Sequence, residues 1–222
     1  MRNSRVNPVK KKLGEESQPA AGDRETRQQI LEAARQPFLA KGYKGVSMKE
    51  VAEAVQVTSA ALYYHFPNGK QDLFFSVIQM TLEEWTQGAL LATASAQGLR
   101  ERLNRLTQYL FTLPIDRFSI LLREIHENVL DHGTKRMDLL QIRDTFAQHV
   151  TDLFQQAIDA GEITQDIPAA LLASMYEGMS ISVLRDKHMA IGGTENLDAG
   201  QLVDLVLSVL FKGIAVTGEV TS

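Results

Sequence analysis

Small and hydroxylated side chains fill the first turn of a short predicted helix that ends at Phe66. Thr58 is a favoured N-cap residue, and Val57 and Leu62 have the spacing of a hydrophobic staple. Since only Leu62 and Phe66 are spaced to reach a core, the first turn is free to press closely against another surface. The major groove of DNA is such a surface, because it admits an α-helix and exposes the edges of the bases. The side chains best placed to touch base edges or thymine methyl groups are those of Ser59, Ala60, Ala61 and Tyr64.

A second short helix is predicted just before this one. Ser47 and Glu50 form a capping-box pattern, and apolar residues continue at helical spacing from Met48 to Val55. Two such helices joined by a tight turn are typical of a helix-turn-helix, in which the second helix enters the groove and the first crosses the phosphate backbone. Positive side chains and free backbone N–H groups at the helix start favour phosphate binding. The residues in such positions are Lys44, Ser47, Lys49 and, just past the second helix, Lys70.

The segment of residues 26–74 resembles the N-terminal domain of the TetR family of bacterial transcriptional regulators. The resemblance rests on a helix ending in KGY at 41–43, a hydroxyl at Ser47, the run LYYHF at 62–66 and a lysine at Lys70. This pattern is long and specific, and it covers about the first third of the chain. The roles that the resemblance implies are phosphate contacts for Ser47 and Lys49, base contacts for Ser59, Ala60 and Tyr64, and backbone contacts for Tyr63, His65 and Lys70.

Two residues depart from the family pattern. Gln56 stands in the turn where the family usually has glycine, so we expect a left-handed backbone there at a cost of roughly 1 kcal/mol. Pro37 interrupts the first predicted helix and should kink it or remove one hydrogen bond.

The overall composition is ordinary for a soluble globular protein, with 44% hydrophobic and 23% charged residues in a chain of 222. No apolar run approaches the roughly 20 residues of a membrane span, and no signal-peptide pattern follows the basic N-terminus. The absence of cysteine excludes disulfides, thiolate metal sites and a cysteine nucleophile. These features fit a cytoplasmic protein.

The net charge of −4 is divided unevenly along the chain. Residues 1–24 hold six Lys and Arg against three Asp and Glu, and residues 25–75 hold six against five. Residues 76–222 hold eleven against nineteen. Positive charge is thus concentrated at the DNA-reading end, while the acidic remainder would be repelled by the duplex.

The charge pattern and the periodicity together predict three segments. Residues 1–24 read as a disordered basic arm, which could enter a minor groove or be a solvated tail without a site. Residues 25–70 are expected to form the three-helix DNA-binding domain, whose first helix stops at Gly42. Residues 71–222 are expected to form a helical effector-binding and dimerisation domain.

The fold predicted from these periodicities is all-α. A long helix should run from about Lys70 to Ala94 with two apolar stripes, one for the DNA-binding head and one for the C-terminal domain, which makes it the mechanical link. Further helices are predicted near 98–113, 115–130, 134–160, 168–190 and 198–217.

The last two predicted helices carry apolar residues on more than one side. This pattern favours an intermolecular four-helix bundle in a homodimer, although an ordinary monomer core is the alternative. The residues assigned to the dimer interface are the small seam Ser174, Gly178 and Ser182 and the stripe Leu202, Leu205, Val206 and Val209.

No catalytic or metal-binding motif is complete in the sequence. In EIHENVLDH, His126 and His132 are six residues apart, which places the two imidazoles on different helix faces. The sequence therefore predicts no enzyme activity, no cofactor and no metal site.

The family resemblance implies a small effector bound among the middle helices. The abundance of large apolar side chains favours an apolar or aromatic effector, with Arg123 or His126 orienting a polar group. The candidate lining residues, each of a kind that is more often plain core, are Trp85, Tyr109, Phe111, Phe118, Leu122, Arg123, His126, Tyr176 and Met179.

These observations favour a TetR-like homodimer that represses transcription from a palindromic operator until a small molecule releases it. The first alternative is the same dimer acting as an activator or without a diffusible ligand. A helical enzyme or metal-binding bundle with a merely structural head is the second alternative, and the missing catalytic motifs count against it.

Overall fold

The computed structural model describes residues 21–114, 133–189, 193–194 and 196–214. Within these ranges the chain forms eight helices and no strand, which confirms the all-α prediction. The helices are α1 (Ala21–Lys41), α2 (Met48–Ala54), α3 (Ser59–His65), α4 (Lys70–Ala94), α5 (Gly98–Thr112), α6 (Gly133–Asp159), α7 (Ala169–Met189) and α8 (Ala199–Ile214). The predicted helix at 115–130 and residues 1–20 of the predicted arm lie outside the described residues. No helix within the described ranges combines the length and apolar character that a membrane span requires.

Helix α1 is longer than the sequence pattern predicts. It begins at Ala21, so residues 21–24 of the predicted arm are helical instead. The extra turn has an acidic residue, Asp23, near the positive end of the helix dipole, and the Thr26 hydroxyl donates to the Gly22 carbonyl at 2.9 Å. The helix also continues through Pro37, which has no N–H to donate to the preceding turn.

The DNA-binding head is built around a core shared by α1, α2, α3 and the first half of α4. Phe74 of α4 lies at its centre, fully buried, with the rings of Phe38 and Tyr43 packed edge to face at 5.0 Å from its own. Leu62 and Phe66 of α3, each 1% exposed, complete this core, as their spacing predicts.

Helix α4 divides its packing along its length, which corrects the expectation that one stripe faces each domain. The first three turns bury residues of both predicted stripes in the head core, up to Met80. Ala89, further along, belongs to the second core. The first half of α4 has apolar residues on several sides because α1, α2 and α3 pack around it.

The second core lies between α5, α6, α7 and α8. Its centre is the fully buried Tyr176 of α7, whose hydroxyl lies 2.8 Å from that of Thr107 on α5 and whose ring meets Phe154 of α6 edge to face. Burial raises the pKa of Tyr176 to about 12, so the phenol stays protonated at neutral pH. The Arg100 guanidinium lies 4.1 Å from the ring centre of Phe211 and joins α5 to α8.

A glycine sets the distance between α4 and α5. A Cβ atom at Gly88 would fall inside the van der Waals radii of the Tyr109 ring and hydroxyl. Burial and the negative charge of Glu84 raise the pKa of Tyr109. The neutral phenol therefore occupies the place that a side chain at position 88 would fill.

We expect Gly88→Ala to lower the free energy of unfolding by about 1–2 kcal/mol, although alanine is the better helix former, because the Tyr109 side chain must move. Urea unfolding followed by circular dichroism measures the change. In a Tyr109→Ala background the same substitution should be neutral or stabilise by up to about 1 kcal/mol. Equal destabilisation in both backgrounds would show that the ring does not set the helix spacing.

Candidate nucleic-acid interface and ligand cavity

Helix α2 begins with the predicted capping box. The Ser47 Oγ accepts the Glu50 N–H at 3.1 Å, and the Ser47 N–H donates to Glu50 Oε2 at 3.0 Å. These hydrogen bonds lower the pKa of Glu50, and the positive charges of Lys41 and Lys70 lower it further. Because the cap uses the Ser47 oxygen only as an acceptor, the hydroxyl proton remains available for a phosphate.

The turn between the two short helices passes through Gln56 with a φ of 56°. This is the left-handed conformation that the sequence predicts for the residue in the glycine position. The N–H of Val57 donates to the Ala52 carbonyl at 3.0 Å and closes the end of α2. An L side chain in this conformation costs roughly 1–2 kcal/mol. The geometry of the turn is kept in spite of that strain.

Helix α3 presents one face to solvent. The Thr58 Oγ1 caps it by accepting the Ala61 N–H at 3.1 Å, and its inner face is held by the buried Leu62. Ala61 and His65 are half-buried at the edges of the outward face. The exposed residues of that face are Ser59, Ala60, Tyr63 and Tyr64.

The two adjacent tyrosines of α3 have different surroundings. Tyr63 is 50% exposed, and its ring lies beside Gly69 at the start of α4, where a Cβ atom would meet Cε1 of Tyr63 at 3.1 Å. Tyr64 is 68% exposed and touches the His65 ring edge to face at 5.1 Å. Tyr63 is thus placed toward the turn before α4, whereas Tyr64 projects from the helix into solvent.

The Lys70 side chain connects the start of α4 to the loop that follows α1. Its ammonium donates to the Lys44 carbonyl at 3.4 Å and lies 4.6 Å from the ring centre of Tyr43. An ammonium carries three donors, so these contacts leave capacity for a phosphate. Lys49 has an 82% exposed side chain, 3.7 Å from Glu53, and a pair so exposed adds little stability and yields readily to a phosphate.

Arg27 contacts the end of α3 and the side of α4, and no sequence pattern predicted these contacts. Its guanidinium lies 5.2 Å from the ring centre of Phe66, at the end of α3, and donates to the Ser76 hydroxyl of α4 at 3.0 Å. One side chain on α1 therefore contacts both α4 and the residue that ends α3. Only the fold brings residue 27 near residues 66 and 76, which is why sequence spacing could not identify it.

A cavity of about 210 Å³ lies in the second domain between α4, α5, α6 and α7. Its walls are mostly aromatic and aliphatic. Among the predicted effector residues, Trp85 and Phe111 line it. Lining residues that the prediction did not include are Leu82, Thr86, Leu110, Leu113, Ile142, Arg143, Phe146, Glu177, Ser180, Ile181 and Leu184.

The other predicted effector residues that the structure describes do not line this cavity. Tyr109 packs on Gly88, and Tyr176 is enclosed in the core with its hydroxyl on Thr107. Met179 lines a separate groove between α7 and α8. The predicted residues that lie outside the described ones are Phe118, Leu122, Arg123 and His126.

The four residues of α8 assigned to the dimer interface form one buried pair and one exposed pair. Leu202 and Val206 are 0% and 2% exposed, within their own chain's core, which corrects their assignment to an intermolecular surface. Leu205 and Val209 are 46% and 55% exposed. Leu202 and Val206 lie on one edge of this stripe and Leu205 and Val209 on the other, so the first pair faces the chain's own core and the second faces solvent.

The exposed residues of α8 continue a surface on α7, which we call the apolar face. On α7, Ser174 and Gly178 are exposed and Ser182 is half-buried. A Cβ atom at Gly178 would meet no atom of the described residues within 4 Å outside its own stretch of helix. The large exposed hydrophobic residues on these two helices are Leu171, Met175, Ile181, Leu205 and Val209. Met175 and Val209 line one groove between the helices, whereas Ile181 also lines the cavity.

Two capped helices joined by a tight turn, the second with an exposed outer face, have the arrangement of a helix-turn-helix. The sequence pattern described as "Bacterial regulatory proteins, tetR family" matches residues 30–77. The chain is 27% identical over 210 residues to the transcriptional activator FasR of Mycolicibacterium smegmatis, covering 87% of this chain and 94% of that one. It is 28% identical over 176 residues to the repressor AcnR of Corynebacterium glutamicum, covering 68% and 93%. The protein is a DNA-binding transcriptional regulator whose residues 30–77 match the TetR-family pattern.

Solved structures share the fold over nearly the whole chain. A putative TetR-family regulator from Mesorhizobium loti has a TM-score of 0.71 at 22% identity, covering 89% of this chain and all of that one. A putative regulator from Saccharomonospora viridis in complex with choline has a TM-score of 0.72 at 17% identity, covering 87% and 100%. The likeness extends beyond the head to the helical second domain.

We expect Gln56→Gly to raise the free energy of unfolding by about 0.5–1 kcal/mol, because relief of the left-handed strain exceeds the added entropy of the unfolded chain. Glu53→Gly, at a right-handed and exposed position of α2, should instead lower it by about 1 kcal/mol. Chemical unfolding of both variants gives the comparison. A loss of stability at position 56 would mean that the glutamine makes contacts worth more than the strain.

We expect Tyr64→Ala to relax base preference within each half-site while leaving stability within about 0.5 kcal/mol, since the side chain is largely exposed. Selection of binding sites from random DNA measures the preference. Tyr63→Ala is the matched control and should weaken binding to all sequences alike, as loss of a backbone contact does. An unaltered selected sequence for Tyr64→Ala would show that this tyrosine reads no base.

Proposed function

We propose that the protein is a homodimeric repressor that leaves a palindromic operator when a small molecule enters the cavity between α4, α5, α6 and α7. The observation that carries this proposal is the position of α4. Its first half is part of the head core, and Leu82, Trp85 and Thr86 of its second half line the cavity. A ligand that displaces these side chains acts on the helix that holds the DNA-binding head.

Polar contacts extend the connection between α4 and the head beyond the apolar core. Arg35 of α1 pairs with Glu84 of α4 at 2.5 Å, and Gln28 donates to the Met80 sulfur at 3.4 Å. Glu84 lies on α4 between cavity residues Leu82 and Trp85. A shift of α4 at the cavity would therefore change contacts with α1 as well as with α3, and so the placement of the recognition helix.

The dimer follows from the apolar face on α7 and α8. Contiguous exposed hydrophobic residues on two neighbouring helices are typical of a protein interface. A second copy that lays its own α7 and α8 on them would form a four-helix bundle, with Gly178 permitting close approach. Such a two-fold pair presents two recognition helices, as a palindromic operator requires.

Repression is the mode we favour, and activation is the second candidate. The relatives include AcnR and a probable acrEF/envCD operon repressor of Escherichia coli, both named as repressors. FasR, which is similar over most of this chain, is named as an activator. A reporter gene behind the protein's own upstream DNA distinguishes repression from activation. Deletion of a repressor raises reporter expression, whereas deletion of an activator lowers it.

Gel shift on DNA from upstream of its gene, followed by a screen for compounds that release that DNA, tests the proposal directly. A releasing compound must bind more weakly to the operator complex than to free protein, by the same factor as it weakens DNA binding, typically about 5- to 150-fold. Trp85, the only tryptophan of the chain, lines the cavity and reports binding by its emission. A compound that releases DNA yet binds both forms equally would indicate competition at the DNA surface instead.

Leu205→Glu combined with Val209→Glu should give monomers with weak operator affinity. Both side chains are about half exposed in one chain, so the carboxylates can stay in water without disturbing the fold. Sedimentation velocity measures the state of assembly. Leu91→Glu is the control, because Leu91 is 74% exposed on α4 and should leave the dimer intact. A dimer that persists in the double variant would place the interface elsewhere.

A further inference from the structure

The recognition helix α3 is short and depends on its surroundings for its orientation. Its seven residues span about 10 Å, and isolated helices of this length are not stable in water. Its backbone packs mainly on α2, and Leu62 and Phe66 hold its inner face in the head core. A displacement of about 1 Å at one end tilts such a helix by about 6°, and that displacement exceeds the roughly 0.5 Å range of N–H···O distances. Base recognition therefore requires that both ends of α3 are held in place.

Helices α1 and α4 lie side by side in a constant register. Arg27 of α1 donates to the Ser76 hydroxyl of α4 at 3.0 Å. Eight residues further along each helix, Arg35 pairs with Glu84. The residues of both pairs are 49 positions apart, so the two helices run in the same direction. Together they form a support on which the end of α3 can be held.

The Arg27 side chain connects this support to the end of α3. Its guanidinium lies 5.2 Å from the ring centre of Phe66 while it donates to Ser76. Phe66 is 1% exposed, and its N–H donates to the Leu62 carbonyl at 3.0 Å, which closes the last turn of α3. A planar guanidinium can contact a ring with its face and donate from its edge at the same time. The two contacts of Arg27 thus fix the end of α3 relative to α4.

These contacts contribute little to the stability of the fold. Arg27 is exposed, so water competes for its donors, and the Phe66 ring is buried among apolar residues of the head core. Loss of the Arg27 side chain should leave the chain folded and allow the end of α3 to move. Affinity for a specific sequence then falls in proportion to the fraction of molecules in which α3 is correctly oriented.

We propose that Arg27 is a positioning residue for base recognition. It holds the end of α3 on α4 and thereby sets the orientation in which the exposed residues of α3 meet the base edges. It acts through Phe66 and Ser76, and not by binding a phosphate. This role goes beyond the proposed function, because it requires neither an effector nor repression.

The ratio of operator affinity to non-specific affinity tests this role. Non-specific binding depends on phosphate contacts, whereas operator binding also requires a correctly oriented α3. Arg27→Ala should weaken operator binding about fivefold for each half-site and leave binding to random-sequence DNA nearly unchanged. Fluorescence anisotropy of the full-length protein, with an operator obtained by site selection and with random duplex DNA, measures both affinities. An equal loss on both DNAs, or no loss on the operator, would overturn the proposal.

Two further variants distinguish the position of the Arg27 side chain from its charge. Arg24→Ala removes an equal charge from the exposed surface of α1, three residues earlier, and should leave the ratio of the two affinities unchanged. Arg27→Lys keeps the charge but not the planar group, and should restore less than about half of the lost operator affinity. Complete recovery with lysine would show that charge alone is needed and would contradict the proposal.

A double-mutant cycle with Ser76 tests the path of the effect. Ser76→Ala removes the hydroxyl that accepts from Arg27, and alanine favours the helix, so operator binding should weaken without loss of stability. The double variant Arg27→Ala, Ser76→Ala should bind the operator about as weakly as Arg27→Ala alone, because both changes break the same contact. Urea unfolding of each variant verifies the fold. Losses of operator affinity that multiply in the double variant would show that Arg27 does not act through Ser76.

Discussion

The rest of the structure depends on the burial of the apolar surface of α4 by two domains. This helix has large apolar residues on more than one side, and no single domain encloses its whole length. The head covers the turns around Phe74, and α5 and α6 cover the later turns near Ala89. Because burial of apolar surface is the dominant favourable contribution to folding, both domains are held to this helix by the same force that folds them. A change in how one domain packs on α4 is therefore felt by the other.

Local features of the head could be predicted from the sequence because each depends on residues a few positions apart. The Ser47–Glu50 cap and the Thr58 cap span one helical turn. The left-handed backbone at Gln56 was expected from the resemblance, because the family usually has glycine at this place in the turn. The helix boundaries of α5, α6 and α7 fall within one residue of the predicted ones for the same reason.

Features that need the relative orientation of distant helices could not be predicted. Periodicity shows that α8 is apolar on more than one side, but not which residues of a stripe its own chain covers. The structure buries Leu202 and leaves Leu205 exposed, and this choice is set by α5 and α7. The pairing of Tyr176 with Thr107, 69 residues away, likewise turns a candidate ligand contact into a core residue. Among the described candidates for effector contacts, Trp85 and Phe111 line the cavity, and their spacing alone could not distinguish them from the other candidates.

The sharing of α4 also bears on which fragment of the chain can fold alone. Six of the sixteen buried residues in the head core come from α4, between Leu73 and Met80. A fragment that stops at Lys70 would keep all three helices of the DNA-binding head and lose the ring of Phe74, on which Phe38 and Tyr43 pack. Such a piece has the recognition helix but too little apolar surface to hold it in place. The smallest autonomous head extends about three turns into α4, so the unit that folds is longer than the unit that touches DNA.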